Sequence, residues 1–134
     1  MSNFRFELPS IAITTQDIDR LTAIAEGNAT RFPQVAEFLA NEIARANVVP
    51  TQRALPGLVC MGSKVTYRDE STGQRRTVIL VYPHEANIDM CRISIVTAVG
   101  AALIGLSVGQ SIEFKTPSGE RRLLTVLEVA SSDL

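Results

Sequence analysis

A chain of 134 residues with 46% hydrophobic and 20% charged side chains has apolar surface for one core and a small appendage. Thirteen Lys plus Arg against fourteen Asp plus Glu leave a net charge of -1, and neither half is a polycation, which argues against strong, sequence-independent nucleic-acid binding through clustered cations. No apolar run approaches the ~20 residues of a bilayer span, and the start Met1-Ser2-Asn3-Phe4-Arg5-Phe6-Glu7 lacks the basic-then-apolar pattern of a secretory signal, so the cytoplasm is the expected compartment.

Thr14 or Thr15 is a suitable cap for a first helix, with Asp17 and Asp19 in the next turn facing its positive end. Ile18, Leu21, Ile24 and Ala25 recur at helical spacing, and Gly27-Asn28 supplies the stop. A second helix begins near Pro33 with the stripe Val35, Phe38, Leu39, Glu42/Ile43 and Ala46. The short connection through Phe32 predicts an antiparallel helical hairpin. Two helices of about 13 residues are marginal alone and must bury their stripes on each other. At 1.5 Å per residue such a hairpin projects only ~20 Å.

Residues 48–57 contain Pro50, Pro56 and Gly57 without apolar periodicity, which predicts a linker between an N-terminal unit at 1–47 and a second domain at 58–134. From Leu58 onward the period changes to two. Val65 and Tyr67 alternate with Lys64, Thr66 and Arg68 before the turn Asp69-Glu70-Ser71-Thr72-Gly73, and Arg75 to Tyr82 returns as a strand. A strand at Arg92–Val96 and a short helix at Val99–Leu106 precede a second hairpin, Ser111–Lys115 and Arg121–Val129, across Thr116-Pro117-Ser118-Gly119-Glu120. Four or five antiparallel strands with one short helix covering the apolar face make an α+β domain.

Cys60 and Cys91 belong to no metal or redox spacing; Cys60 reads as a core residue and Cys91 as partly exposed. The spacing of Gly100 and Gly105 is not a phosphate loop, because no Lys-Ser/Thr pair follows. His84-Glu85 has no partner for acid/base work and reads as a surface loop, and Ser94 as a strand hydroxyl bonded to backbone. Arg75-Arg76 and Arg121-Arg122 read as solvated strand edges, the alternative being one small positive patch where two hairpins meet. No catalytic, cofactor or metal set emerges from the residues.

Met61-Gly62-Ser63-Lys64-Val65, Leu80-Val81-Tyr82-Pro83, Ile93-Ser94-Ile95, Gly100-Ala101-Ala102-Leu103-Ile104-Gly105-Leu106, Val108-Gly109 and Pro117-Ser118-Gly119 occur in one order. Together they resemble the C-terminal domain of the Gre transcription-factor family. The resemblance implies an FKBP-like antiparallel sheet domain behind a helical hairpin, and RNA polymerase as the partner, bound at the rim of its secondary channel. Gre cleavage factors carry neighbouring acidic residues at the hairpin tip that help hold a catalytic Mg²⁺. The matching tip, Gly27-Asn28-Ala29-Thr30-Arg31-Phe32, has no carboxylate, Glu26 stands alone, and Arg31 opposes a cation, so cleavage stimulation is not expected. The acidic-Ser-Pro turn that the family places before its short helix is replaced by Val96-Thr97-Ala98. The candidate partner-binding residues are therefore Glu85, Asn87, Val96, Thr97, Ala98, Val99, Arg31 and Phe32. Two other classes stay open beside a polymerase-binding regulator: a general protein-interaction module, and a prolyl isomerase, for which Tyr67, Tyr82 and Phe114 are the only aromatic side chains in the second domain.

Overall fold

The two periodicities produce a mixed α+β chain, which the computed structural model describes over residues 8–51 and 56–131. Strand β1 (Ala12–Thr14) leads into helix α1 (Thr15–Gly27), and helix α2 (Pro33–Arg45) leads into strand β2 (Asn47–Val49). β1 and β2 pair in parallel, Ala12 opposite Asn47 and Thr14 opposite Val49, so the two helices leave and re-enter the molecule at one place. Val48 and Val49, at the start of the expected linker, are thus strand residues. Beyond them the Thr51 hydroxyl accepts the Gln16 N–H at 3.1 Å, and positions 52–55 of the linker lie outside the described residues.

α1 buries Leu21 and Ala25, as its spacing predicts. On α2 the innermost residues are Ala36, Leu39 and Glu42, so the stripe is rotated from the predicted one, and Val35, Phe38, Ile43 and Ala46 are only partly buried. A charged residue can face inward here because Glu42 accepts two hydrogen bonds from Arg45, at 2.7 and 2.8 Å, while the same guanidinium donates to the Pro9 carbonyl. A buried carboxylate supplied with donors escapes most of the penalty an unpaired one incurs. Thr14 occupies the cap position of α1 but its side chain makes no capping bond.

The remaining strands are β3 (Ser63–Asp69), β4 (Arg75–Val81), β5 (Arg92–Ser94), β6 (Ser111–Lys115) and β7 (Arg121–Ser131), in the spatial order β5-β4-β3-β7-β6, with helix α3 (Ala98–Leu103) between β5 and β6 in the chain. Three of the four pairings are antiparallel. The fourth corrects the fully antiparallel expectation: β4 and β5 are parallel, Ile79 opposite Arg92 and Val81 opposite Ser94. The cause lies in the loop between them. Two 3₁₀ turns, Pro83–Glu85 and Ile88–Met90, carry the chain back along β4, and the Cys91 carbonyl accepts the Ile79 N–H at 2.8 Å where β5 begins.

Alternate residues of the strands, among them Val65, Tyr67, Leu80, Ile112, Leu124 and Val126, point to one face, and Ala101, Ala102 and Leu103 of α3 pack with them. Leu21, Ala25 and Leu39 from the helix pair enter the same apolar cluster, and α2 packs along α3. The helices therefore lie against the sheet unit instead of standing clear of it as a free finger. Burying both stripes in a shared core solves the marginal stability of 13-residue helices.

Two glycines make this packing possible. A Cβ on Gly100 would stand 2.3 Å from the Ser94 carbonyl oxygen and 2.9 Å from Thr97 Oγ1. Gly105 has φ +82 and would place a Cβ 3.0 Å from the Ala12 carbonyl oxygen and 3.1 Å from Ile11 Cβ. In an open helix Gly→Ala gains about 1 kcal/mol. Here the clash decides the sign: Gly100→Ala and Gly105→Ala are each expected to cost about 2–3 kcal/mol, read as a lower urea midpoint at an unchanged slope. A midpoint equal to or above the wild type for Gly100→Ala would mean that the close approach is absent in solution.

Candidate functional site

The connection between α1 and α2 is fixed locally before it meets anything else. Asn28 donates from its side-chain amide to the Ile24 carbonyl at 2.8 Å, the Phe32 N–H donates to the Asn28 carbonyl at 2.8 Å, and Pro33 starts α2. Arg31 and Phe32 are both exposed, with the guanidinium carbon 5.3 Å from the Phe32 ring centroid. This end of the helix pair faces the start of α3 and the end of β6. Between them lies a cleft of about 350 Å³, bordered by Arg31, Phe32, Val35 and Phe38 on one side and by Ala98, Ala101, Phe114, Lys115 and Pro117 on the other. Three of the sequence candidates, Arg31, Phe32 and Ala98, thus converge although more than sixty positions separate them in the chain.

Val96, Thr97 and Val99 sit beside that cleft at the beginning of α3. The Thr97 hydroxyl accepts the Gly100 N–H at 3.0 Å and donates to the Ser94 carbonyl at 2.8 Å, so it caps the helix and closes the turn. Ser94 Oγ accepts the Val96 N–H at 2.9 Å, in keeping with its reading as a strand hydroxyl bonded to backbone. Glu85 and Asn87 are on the loop beside β5, the strand at the opposite edge of the sheet from β6. Asn87 is occupied in holding that loop: its side chain accepts the Asp89 N–H at 3.1 Å and its backbone exchanges two bonds with Arg92, both 2.9 Å. Ile88 and Met90 project from the same loop and His84 is exposed there. The candidates therefore form two groups, one around the cleft and one on the β4–β5 loop.

Sequence reasoning missed the counterparts on the sheet side, Phe114, Lys115 and Pro117, because they read as an ordinary hairpin end. It also missed Glu37. Glu26 does not stand alone, since both carboxylates border a groove between the end of α1 and the beginning of α2.

Asp17 joins α1 to the sheet unit by accepting the Met61 N–H at 3.2 Å, a tertiary bond in place of the purely helix-terminal role expected of it. Arg20 lies 4.1 Å over the Tyr82 ring across the same junction. Burial, and then the Asp17 carboxylate, push the Cys60 thiol above its ordinary range, and the same two causes raise the Tyr82 phenol against the opposing charge of Arg20. Cys60 is half-buried instead of fully in the core, and Cys91 is exposed.

The basic doublets do not merge. Arg122 pairs with Asp69 and Glu120, both at 2.7 Å, and Arg121 lies 3.9 Å from Glu113, whereas Arg75 and Arg76 are exposed on β4 with β3 between them and β7. Arg68 pairs with Glu70 at 2.9 Å. Partial burial raises Asp69, but hydrogen bonds from Arg122 and Ser71 outweigh it and hold the carboxyl below its usual value; Arg68 and Thr125 do the same for Glu70.

These positions can be set beside known proteins. Residues 54–131 match the family described as the C-terminal domain of transcription elongation factor GreA/GreB. The chain belongs to the GreA/GreB family. Residues 9–49 match the Rnk N-terminus, so the family resemblance extends into the helix pair. The regulator of nucleoside diphosphate kinase of Escherichia coli K12 is 35% identical over 121 residues, 90% of this chain and 89% of that protein. The GreA of Ruegeria pomeroyi is 39% identical over 80 residues, 59% of this chain and 50% of that one. A solved GreA/GreB factor of Nitrosomonas europaea superposes with a TM-score of 0.71 at 36% identity, covering 91% of this chain and 98% of the other. Those family relatives are regulators and transcription factors.

Asp17→Asn keeps an acceptor for Met61 while removing the charge, so the midpoint of Cys60 alkylation against pH is expected to fall; an unchanged midpoint would leave burial as the sole cause. The depressed carboxyls Asp69 and Glu70 contribute stability above the ordinary carboxyl range, and it is lost as pH falls through their lower folded values. Melting temperature between pH 6 and pH 3 should therefore drop more steeply for the wild type than for Arg122→Gln, which lacks the partner that depresses Asp69. Parallel acid curves would remove this pair from the account.

Proposed function

We propose that this protein is a regulator that binds RNA polymerase at the rim of the secondary channel and occupies that region without stimulating transcript cleavage. In this reading residues 58–134 form the FKBP-like domain that grips the rim, residues 1–47 form the helical hairpin, and 48–57 join them. Val96, Thr97, Ala98 and Val99 with Glu85 and Asn87 supply the rim contact, and Arg31 and Phe32 the contact of the tip. Membership of the GreA/GreB family favours polymerase over a general interaction partner.

The observation that carries the absence of cleavage is the connection itself. Asn28, Ala29, Thr30, Arg31 and Phe32 present a cation and an aromatic ring where a metal-holding tip needs converging carboxylates, and Arg31 and Phe32 border the cleft that Phe114 and Pro117 line from the sheet side. Glu26 is near the end of α1, next to Gly27, and Glu37 is a turn into α2, so the two do not converge within the connection. Two helices of 13 residues reach ~20 Å at most. An isomerase pocket built from the sheet domain is disfavoured because Tyr67 and Tyr82 pack in the core and do not line the cleft at Phe114, whose aromatic neighbours there, Phe32 and Phe38, come from the helix pair.

Purified protein should co-elute with core RNA polymerase and be displaced by a Gre cleavage factor, with no magnesium-dependent shortening of transcripts in backtracked complexes. Failure to compete at saturating concentration would overturn the polymerase reading, and cleavage by the unmodified protein would overturn the account of the tip. Introducing Thr30→Asp and Arg31→Glu together is expected to leave cleavage absent, because the reach is missing as well as the charge.

A further inference from the structure

The cleft between the helix pair and α3 has the composition of a ligand site as well as of a contact surface. Its floor is apolar, formed by Val35, Phe38, Ala101 and Phe114, and its volume of about 350 Å³ falls within the range of small-molecule sites. Its charged groups are all of one sign. Arg31 stands on the helix side and Lys115 on the sheet side, and among the described residues neither is ion-paired with a carboxylate. A shallower extension runs past Phe38, Phe114 and Lys115 to Arg121, and its one carboxylate, Glu113, lies 3.9 Å from Arg121. A concave apolar floor beneath cations on two opposite walls selects a molecule with an apolar body and an anionic head.

We propose that this cleft binds a small amphipathic carboxylate, its apolar body against Phe38 and Phe114 and its carboxylate between Arg31 and Lys115. Neutral molecules of the same shape would keep the contact with the floor and lose the charge-assisted hydrogen bonds at the rim. Cations would meet Arg31 and Lys115 directly. Because the walls come from two different parts of the chain, an occupant ties the α1–α2 connection to the end of β6. The site stands on this geometry and does not depend on polymerase being the partner.

The test uses the full chain and four probes followed by amide NMR: 1-naphthoate and its uncharged relative 1-naphthamide as an aromatic pair, octanoate and octanamide as an aliphatic one. Saturable shifts are expected at Val35, Phe38, Ala101 and Phe114 for at least one carboxylate, which also identifies the class of body the floor prefers. The matching amide should bind more weakly, by about two- to fivefold for each rim cation at low salt, the range of a single exposed charge contact. In Arg31→Gln/Lys115→Gln, both exposed positions, carboxylate and amide should bind alike. Ala98→Leu, which narrows the cleft without touching its charges, should weaken every probe that binds the wild type while the remaining amide spectrum stays in place. Equal affinity of the wild type for the acid and the amide, shifts confined to another surface, or no saturable shift up to the solubility of the probes would each overturn the proposal.

Discussion

The two halves of the molecule meet most closely at one residue, Gly105. Its N–H donates to the Val59 carbonyl at 3.0 Å and its carbonyl accepts the Ala12 N–H at 3.1 Å, so the segment before β3, the exit from α3 and the first strand of the helix unit meet on a single residue. Its positive φ turns the chain after α3, and the lack of a side chain lets β1 approach to contact distance. Around it, Val59 donates to the Leu106 carbonyl at 2.8 Å and Gln110 reaches the Ser10 carbonyl at 3.0 Å. With β1 fixed there and β2 paired to β1, both ends of the helix pair are anchored on the sheet unit. The direction of the helices then follows, and with it the position of the α1–α2 connection beside α3.

Much of this was legible in the sequence, and the boundary of legibility has a physical meaning. Long periodic segments declared themselves: α1 from Leu21 and Ala25, β3 and β4 from the alternation around the Asp69–Gly73 turn, β6 and β7 from the Pro117-Ser118-Gly119 turn. β1 and β2 did not, because three residues carry no period, and a parallel pair closed across two helices is a long-range event that local propensity cannot report. The parallel β4–β5 pairing was hidden for a related reason, since a loop that doubles back reads the same as one that goes forward. Glu42 was placed in the α2 stripe as an alternative to Ile43, but its burial depends on Arg45 one turn on and on the distant Pro9 carbonyl, a partner with no sequence signature.

The site divides along the same line. Arg31, Phe32 and Ala98 are candidates on the strength of the tip and of the turn before α3, yet nothing in a linear reading joins them. Convergence comes from the tertiary anchoring at Gly105 and from the packing of α2 on α3. Phe114 and Lys115 border the cleft for the same reason and could be named only once β6 was known to end beside α3. The basic doublets went the opposite way. Arg121 and Arg122 look like a patch in the sequence, but Asp69, Glu113 and Glu120 sit within 3.9 Å of them and absorb their charge.

That local neutralisation bears on what the remaining charges can do. In a chain of net charge -1 with Arg68, Arg121 and Arg122 next to carboxylates, Arg31 and Lys115 stand out as cations facing an apolar cleft. Their field is short-ranged at physiological salt, about 8 Å, so it acts on what enters the cleft more than on distant partners. The proposed polymerase contact and the proposed small-molecule site share Arg31, Phe32 and Ala98, and an exposed aromatic side chain cannot be buried by two occupants at once. If both readings hold, the two bind competitively, and the affinity lost by one in the presence of the other is set by their concentrations and dissociation constants alone. A tip that carries no carboxylate and borders a cleft with its own sheet unit is suited to that arrangement, because its chemistry lies in what it covers.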